Sequence, residues 1–229
     1  MGDINQLEFI KKFKEQFEGP FLEVGSKDYG STQDLRCLFA HKCKYVGVDV
    51  EEGRGVDIVL DLTKDFKEID NVLGSERFGT IFCLSVLEHC EQPFKMAQNM
   101  MSLLKDNGRI VISAPFSWKI HGYPSDYWRF TPEGIKKLFA EIEFEPKKCL
   151  AATSRVNEFQ TLDEEFGKIS FSFSKHKQKG HPLRGISAKL LKILSRAGIL
   201  SWISGYRYLY APTNIIMIGQ SKNESSSIK

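Results

Sequence analysis

Pro20-Phe21-Leu22-Glu23-Val24-Gly25-Ser26-Lys27-Asp28-Tyr29-Gly30 carries a short apolar run into an acid, a glycine and a polar loop, and a helix-like stretch begins at Ser31. A second apolar run, Tyr45-Val46-Gly47-Val48, ends in Asp49, and the two runs sit one strand–helix unit apart. A glycine at a strand-to-helix turn lets backbone N–H groups approach a ligand, and an acid at the tip of the next strand can accept from ribose hydroxyls. Ribose offers two adjacent O–H donors, and an ionised carboxylate accepts both in charge-assisted bonds. The pair points to a site for an adenosine-containing cofactor.

Outward from this stretch the chain alternates strands and helices. Further strands are predicted at Val56–Leu60, Thr80–Leu84, Arg109–Ser113, within 143–152, and at Asn214–Ile218. Helices are predicted at Leu7–Phe17 (with Leu7, Ile10, Phe13 and Phe17 on one face), 32–40, Phe66–Leu73, from Pro93 to about Lys105, and from Thr131-Pro132 to about Ala140. The strands are apolar without period-2 alternation, as in sheets covered on both faces. The expected fold is α/β: a doubly wound, Rossmann-like, seven-stranded and mostly parallel sheet with helices on both faces, plus a basic helical insertion before the last strand. The expected divisions are a leading helix (1–19), a core (20–152), the insertion (153–212), the last core strand (213–222) and a flexible tail (223–229). Ligands of such sheets sit beyond the carboxyl ends of the strands.

The 229 residues are 41% hydrophobic and 27% charged, ordinary for a globular domain. No apolar run approaches the roughly 18 residues that span a bilayer. Met1–Gln6 has neither the basic start nor the apolar core of a secretory signal, and Gln6 argues against myristoylation at Gly2. The five cysteines (Cys37, Cys43, Cys83, Cys90, Cys149) form no Cys-x-x-Cys, so neither a zinc site nor a disulfide frame is expected and no metal ligand is assigned. The expected compartment is the cytoplasm. Net charge is +3, yet 166–222 holds ten Lys or Arg and no acid, which leaves the first 165 residues acidic. A basic segment on an acidic body either faces something anionic or forms a solvated face.

Leu22-Glu23-Val24-Gly25, Asp49, the pair Asp61-Leu62, Leu84-Ser85-Val86-Leu87-Glu88-His89 with Pro93 after it, and Asn107-Gly108-Arg109-Ile110-Val111-Ile112 together resemble the class I S-adenosylmethionine-dependent methyltransferases, in particular the methyltransferase-11-like group. The resemblance covers about residues 20–150. It implies S-adenosyl-L-methionine as cofactor, with Glu23, Gly25 and Ser26 at its methionine end. Asp49 and Val50 would lie at the ribose, Asp61 and Leu62 at the adenine, and Ser85 and Val86 on the pocket floor. The chain departs from the group's Gly-x-Gly pattern at Lys27, which occupies the second glycine's place.

The loop Ala114–Pro132 holds six aromatics, a His, an Asp and an Arg at the sheet's ligand edge. Its His121-x-x-Pro124-x-Asp126-Tyr127-Trp128-Arg129-Phe130-Thr131-Pro132 run resembles methyltransferases of the group linked to surface-sugar or polysaccharide biosynthesis. Methyl transfer needs alignment, plus a base where the acceptor is a hydroxyl. His121 is expected as the base, oriented by Asp126, with His89 as its competitor. His89, Tyr123, Tyr127, Trp128 and Arg129 are the expected substrate contacts. The alternatives are that His121 and Asp126 only brace the loop, that Trp128 and Phe130 pack under it, and that His89 caps the Pro93 helix or contacts the cofactor.

Leu183, Ile186, Leu190 and Leu194 fall on one stripe of a helix over 183–203, with Lys189, Lys192 and Arg196 elsewhere on it. Such a helix lies on an anionic membrane, covers a substrate pocket or packs on its own protein. The function expected is methyl transfer to a hydroxyl of a small-molecule, glycan or lipid-linked sugar substrate. RNA methylation and a non-catalytic partner subunit remain alternatives. Gly25-x-x-x-x-Gly30 speaks against a dehydrogenase, and the sequence gives no oligomeric state.

Overall fold

The apolar runs become the middle of one sheet. The computed structural model describes residues 4–30, 35–122, 125–152, 155–162, 172–178, 180–199 and 213–222. Its strands are β1 (Phe21–Val24), β2 (Tyr45–Asp49), β3 (Ile58–Val59), β4 (Phe78–Leu84), β5 (Leu104–Ser117), β6 (Ile142–Ala152), β7 (Phe159–Thr161) and β8 (Thr213–Ser221). They are ordered β3-β2-β1-β4-β5-β8-β6-β7. The five strands β1 to β5 pair in parallel, whereas β8 is antiparallel to both β5 and β6, and β7 is antiparallel to β6. All of β1 is buried, which is why its sequence reads as an unbroken apolar run interrupted only by Glu23.

The helices are α1 (Ile4–Phe13), α2 (Arg36–Phe39), α3 (Phe66–Val72), α4 (Pro93–Leu103), α5 (Pro132–Leu138), α6 (Phe173–Gln178) and α7 (Pro182–Arg196). α5 starts where Thr131 Oγ1 accepts the Gly134 N–H at 3.0 Å, with Pro132 at the first helical position. α1 buries Leu7, Phe9 and Ile10 in a core shared with Phe17, Phe21, Phe39 and Phe82. Phe82 of β4 meets Phe39 and Phe17 at ring-centroid distances of 5.2 and 5.5 Å. This aromatic cluster fixes the sheet under the first helices.

Three expectations need correction. Eight strands, not seven, are present among the described residues, because β7 adds a three-residue edge within the stretch read as helical. β3 is shorter than Val56–Leu60: the Asp57 carboxylate accepts the Gly47 N–H at 2.7 Å and an Arg36 Nη2 hydrogen bond at 2.6 Å. A side chain there takes a backbone donor of β2. β5 extends back to Leu104 and bulges through 105–108, where Asn107 has φ 59°.

The chain divides into two compact units, Met1–Asp163 with Pro212–Lys229, and Glu164–Ala211. In the second, Gly185 of α7 lies so close to α6 that a Cβ would sit 2.8 Å from the Phe173 ring. Leu183, Ile186 and Leu190 of α7 are exposed. α7 ends at Arg196, short of the expected helix, and 200–212 lies outside the described residues, as does 223–229. No helix among the described residues is long and apolar enough to cross a membrane.

The strand order reverses between β1 and β4. Crevices form at such a switch point, outside the carboxyl ends of the strands, and part of the expected site set, Gly25, Asp49, Asp61, Ser85 and His121 among it, lines one there.

Candidate active site

A cavity of about 720 Å³ opens at this switch point, entirely within the first unit, a size suited to small-molecule ligands. Gly25, Asp49, Val50, Asp61 and Leu62 line one part of it, Ser85 and Val86 another, and Glu88, His89 and His121 a third. The turn after β1 delivers Gly25, β2 delivers Asp49 with Val50 just beyond it, and the loops after β3, β4 and β5 deliver the others.

Gly25 has φ 72°, and a Cβ on it would sit 2.3 Å from Val86 Cγ2. The turn therefore needs glycine both for its backbone conformation and for its approach to the loop after β4. Its N–H groups are used internally rather than turned to a ligand. Gly25 and Ser26 both donate to Val48 O, at 2.9 and 3.1 Å, and Lys27 N–H donates to Asp49 Oδ2 at 3.1 Å. Asp49 Oδ1 accepts the Glu51 N–H at 3.2 Å, so two backbone donors hold this carboxylate at the cavity wall. Asp61 Oδ1 accepts both the N–H and the hydroxyl of Thr63, at 2.8 and 2.7 Å. Two acids at adjacent strand tips are thus preorganised as acceptors facing one cavity.

Lys27, the departure from the glycine pattern, does not line the cavity. Its ammonium pairs with Glu51 at 2.6 Å, and its chain lies against Gly53. The hydrogen bond to Glu51 raises its pKa.

Other residues fall away from their expected places. Glu23 is buried and does not line the cavity; its Oε2 accepts the Tyr45 hydroxyl at 2.8 Å. Its place in the middle of β1, where every residue is buried, explains this. Ser26 is also buried off the cavity, and its hydroxyl has no hydrogen-bond partner among the described residues. Ser85, at φ 54°, does line the cavity, and its Oγ accepts from Gln6 Nε2 of α1 at 2.6 Å.

The aromatic loop closes on the loop after β4. The Tyr127 N–H donates to Glu88 O at 2.8 Å, and Trp128 Nε1 donates to Cys90 O at 2.7 Å. The Tyr127 hydroxyl donates to Glu91 Oε1 at 2.8 Å. Arg129 grips Asp126 with two hydrogen bonds of 2.5 and 2.7 Å and donates to Lys119 O at 3.1 Å. Tyr127, Trp128 and Arg129 therefore do not line the cavity; their polar ends brace the loop. Tyr123 lies outside the described residues.

His121 and His89 are brought together, their rings 5.0 Å apart and nearly perpendicular at 81°. His121 Nδ1 lies 3.1 Å from Asp126 Oδ2, which also accepts the His121 backbone N–H at 2.9 Å. The Arg129 hydrogen bonds hold Asp126 far below the ordinary carboxylate pKa despite its desolvation. Burial lowers the His89 pKa against the hydrogen bond of Nδ1 to Ser125 O at 2.6 Å. Glu88 went unassigned from sequence. It is 1% exposed, lines the cavity, and is raised by burial to about 8. Its place beside His89 was the only signal; the burial comes from the loop folded over it.

No protein-family model matches the chain, and none of the curated proteins does. Solved structures do match. A SAM-dependent methyltransferase from Archaeoglobus fulgidus aligns with a TM-score of 0.51 at 16% identity, over 95% of this chain and 94% of that one. The 1,6-didemethyltoxoflavin-N1-methyltransferase of Burkholderia thailandensis, with 1,6-didemethyltoxoflavin and S-adenosylhomocysteine bound, aligns at 0.52 and 12%, over 96% and 77%. The N-methyltransferase NodS of Bradyrhizobium japonicum, in complex with S-adenosylhomocysteine, aligns at 0.51 and 12%, over 95% and 86%. The chain has the Rossmann-like fold of the class I SAM-dependent methyltransferases.

Proposed function

We propose that the chain is an S-adenosyl-L-methionine-dependent methyltransferase that methylates a hydroxyl of a small-molecule acceptor. One observation carries the reading: Asp49 and Asp61 line the same cavity as His121, at the switch point between β1 and β4. The donor set fits the cofactor. Asp49 and Asp61 are carboxylates fixed by backbone and side-chain donors, with acceptor capacity left for hydroxyls and an amine. The cofactor supplies a methyl group on a sulfonium, which leaves as a neutral thioether.

The chain's own residues align and activate the acceptor. Asp126 and Lys119 O both face Nδ1 of His121, which places the proton on Nδ1 and leaves Nε2 as an acceptor. His121 lines the cavity, and so is placed to take a hydroxyl proton. His89, with Nδ1 on Ser125 O, keeps the same tautomer beside it. Alignment of the acceptor against the methyl group supplies several kcal/mol of the barrier.

A glycan or lipid-linked sugar is the acceptor class we favour, supported by the polyhydroxylated character that a positioned base serves and by the resemblance of the His121–Pro132 run. The exposed Leu183, Ile186 and Leu190 beside Lys189 and Lys192 support peripheral contact with an anionic membrane. Calorimetry with S-adenosylmethionine, followed by a screen of nucleotide sugars and lipid-linked glycans, tests the function. Absence of binding at millimolar cofactor would leave only a non-catalytic reading. Flotation with anionic liposomes, lost on charge reversal of Lys189 and Lys192, tests the membrane contact.

A further inference from the structure

Glu88, His89 and His121 bring one carboxylate and two imidazoles to one wall of the cavity, and each offers a ligand atom within 4.8 Å of the others. Two features set this cluster apart from a chance grouping of polar residues. The first is Glu88 itself. Its side chain is 99% buried, it faces the cavity, and Oε2 has no hydrogen-bond partner among the described residues. A buried carboxyl oxygen without a partner is costly in either protonation state, and native structures satisfy such atoms with a partner, a water or an ion.

The second is the orientation of the two rings. His89 Nδ1 lies 2.6 Å from Ser125 O, a group that only accepts, so Nδ1 carries the proton and Nε2 the lone pair. His121 Nδ1 faces Asp126 Oδ2 at 3.1 Å and Lys119 O at 3.3 Å, with the same consequence. Metal-ligating histidines are held in this way, the second nitrogen fixed by a carbonyl or carboxylate. Asp126 is itself pinned by Arg129, so the His121 ring is positioned by a carboxylate that cannot readily turn away.

We infer that Glu88, His89 and His121 form a binding site for a divalent transition-metal ion, held by the Glu88 carboxylate and Nε2 of each histidine. Two imidazoles and one carboxylate suit Zn²⁺, Mn²⁺, Fe²⁺ or Co²⁺, whereas Mg²⁺ and Ca²⁺ favour sites built from oxygen. Ligands about 2.1 Å from a shared ion lie at most about 4.2 Å apart, so the cluster closes by roughly half an ångström when it binds. His89 Nε2 already lies 3.9 Å from Glu88 Oε1. Three protein ligands leave coordination positions open toward the cavity, where an acceptor hydroxyl would be polarised. That consequence rests on the methyltransferase reading, and with the ion bound His121 serves as a ligand rather than as the base. The binding of the ion does not depend on it.

The test uses the full chain, stripped with chelator and free of S-adenosylmethionine, titrated with Co²⁺, Mn²⁺ or Zn²⁺ alone. The expected result is one equivalent bound, with affinity reduced at least tenfold in Glu88→Gln and in His121→Asn, and a Co²⁺ spectrum without a thiolate charge-transfer band. No binding of any of the three ions at millimolar concentration would overturn the inference. So would affinities unchanged in both variants, or a thiolate band, which would put the ion on the cysteines. If a variant does not fold, Mn²⁺ bound to the native chain decides: its electron spin echo shows nitrogen coupling from histidine, or the site is wrong. Calorimetry with S-adenosylmethionine is read separately, so failure of the metal site and failure of the cofactor site remain distinct.

Discussion

A single oxygen of Asp126 holds His121 twice: Oδ2 accepts its backbone N–H at 2.9 Å and faces its Nδ1 at 3.1 Å. The same carboxylate binds Arg129, so the ring, the loop and the guanidinium share one anchor. Asp126→Asn should cost about 1–2 kcal/mol of stability, because it removes the charge that pairs the partly solvated Arg129 guanidinium. Turnover should fall by about 10²–10³-fold with cofactor affinity little changed. His121→Ala with turnover unaltered at saturating acceptor would remove this histidine from the reaction.

Asp49 should account for much of the cofactor's affinity. Asp49→Asn keeps the shape but turns a charged acceptor into a neutral amide, and the dissociation constant for S-adenosylmethionine should rise about 10–100-fold by calorimetry. A change within twofold would mean that the carboxylate only organises the 25–30 loop.

Gly25→Ala forces a Cβ into the Val86 side chain at φ 72°. Urea denaturation should show a loss of about 2–4 kcal/mol. Adding Val86→Ala relieves the contact but not the backbone strain, so the double variant should recover only part of the loss. Full additivity of the two changes would contradict the contact.

Tyr127→Phe and Trp128→Phe should leave the acceptor KM unchanged, since neither residue lines the cavity. Trp128→Phe should cost about 1 kcal/mol for the lost bond to Cys90 O. A raised KM without a stability change would restore them as substrate contacts.

Arg109 of β5 reaches across β8 to Glu145 of β6 at 2.5 Å, and Lys148 joins the same carboxylate. Burial pushes the Glu145 pKa up, yet the hydrogen bonds from Lys148 and Arg109 bring it below its ordinary value. A depressed folded pKa gives stability that is present above the unfolded value and lost as pH falls through the folded one. Denaturation midpoints should therefore drop more steeply below about pH 4.5 in the native chain than in Glu145→Gln. The difference should be no more than about 1 kcal/mol, since the pair is partly solvated. Parallel curves would show that the pair carries no net stability.

The strands at Phe21–Val24 and Thr80–Leu84 were legible because burial on both faces writes itself as an unbroken apolar run. Asp49 and Asp61 were legible because strand tips follow such runs directly. Direction within a loop has no such signature. Tyr127, Trp128 and Arg129 read as ligand contacts from residue type, yet the hydrogen bonds of Tyr127 and Trp128 go to the Glu88–Gln92 loop and those of Arg129 to Asp126 and Lys119 O. Glu88 was missed for the converse reason: its burial is imposed by residues nearly forty positions later in the chain, through Tyr127 N–H to Glu88 O. The resemblance puts Glu23 at the cofactor; in the middle of β1 its carboxylate accepts the Tyr45 hydroxyl, a partner that sequence spacing does not announce.

The slot that β8 fills has a consequence for biosynthesis. The ribosome delivers 213–221 after the other strands of the described residues have emerged, and until then the parallel block ending at β5 and the β6–β7 hairpin each expose an unpaired edge. The nascent chain must carry two half-sheets past the exit tunnel and weld them by a late insertion, the step at which aggregation would compete with folding.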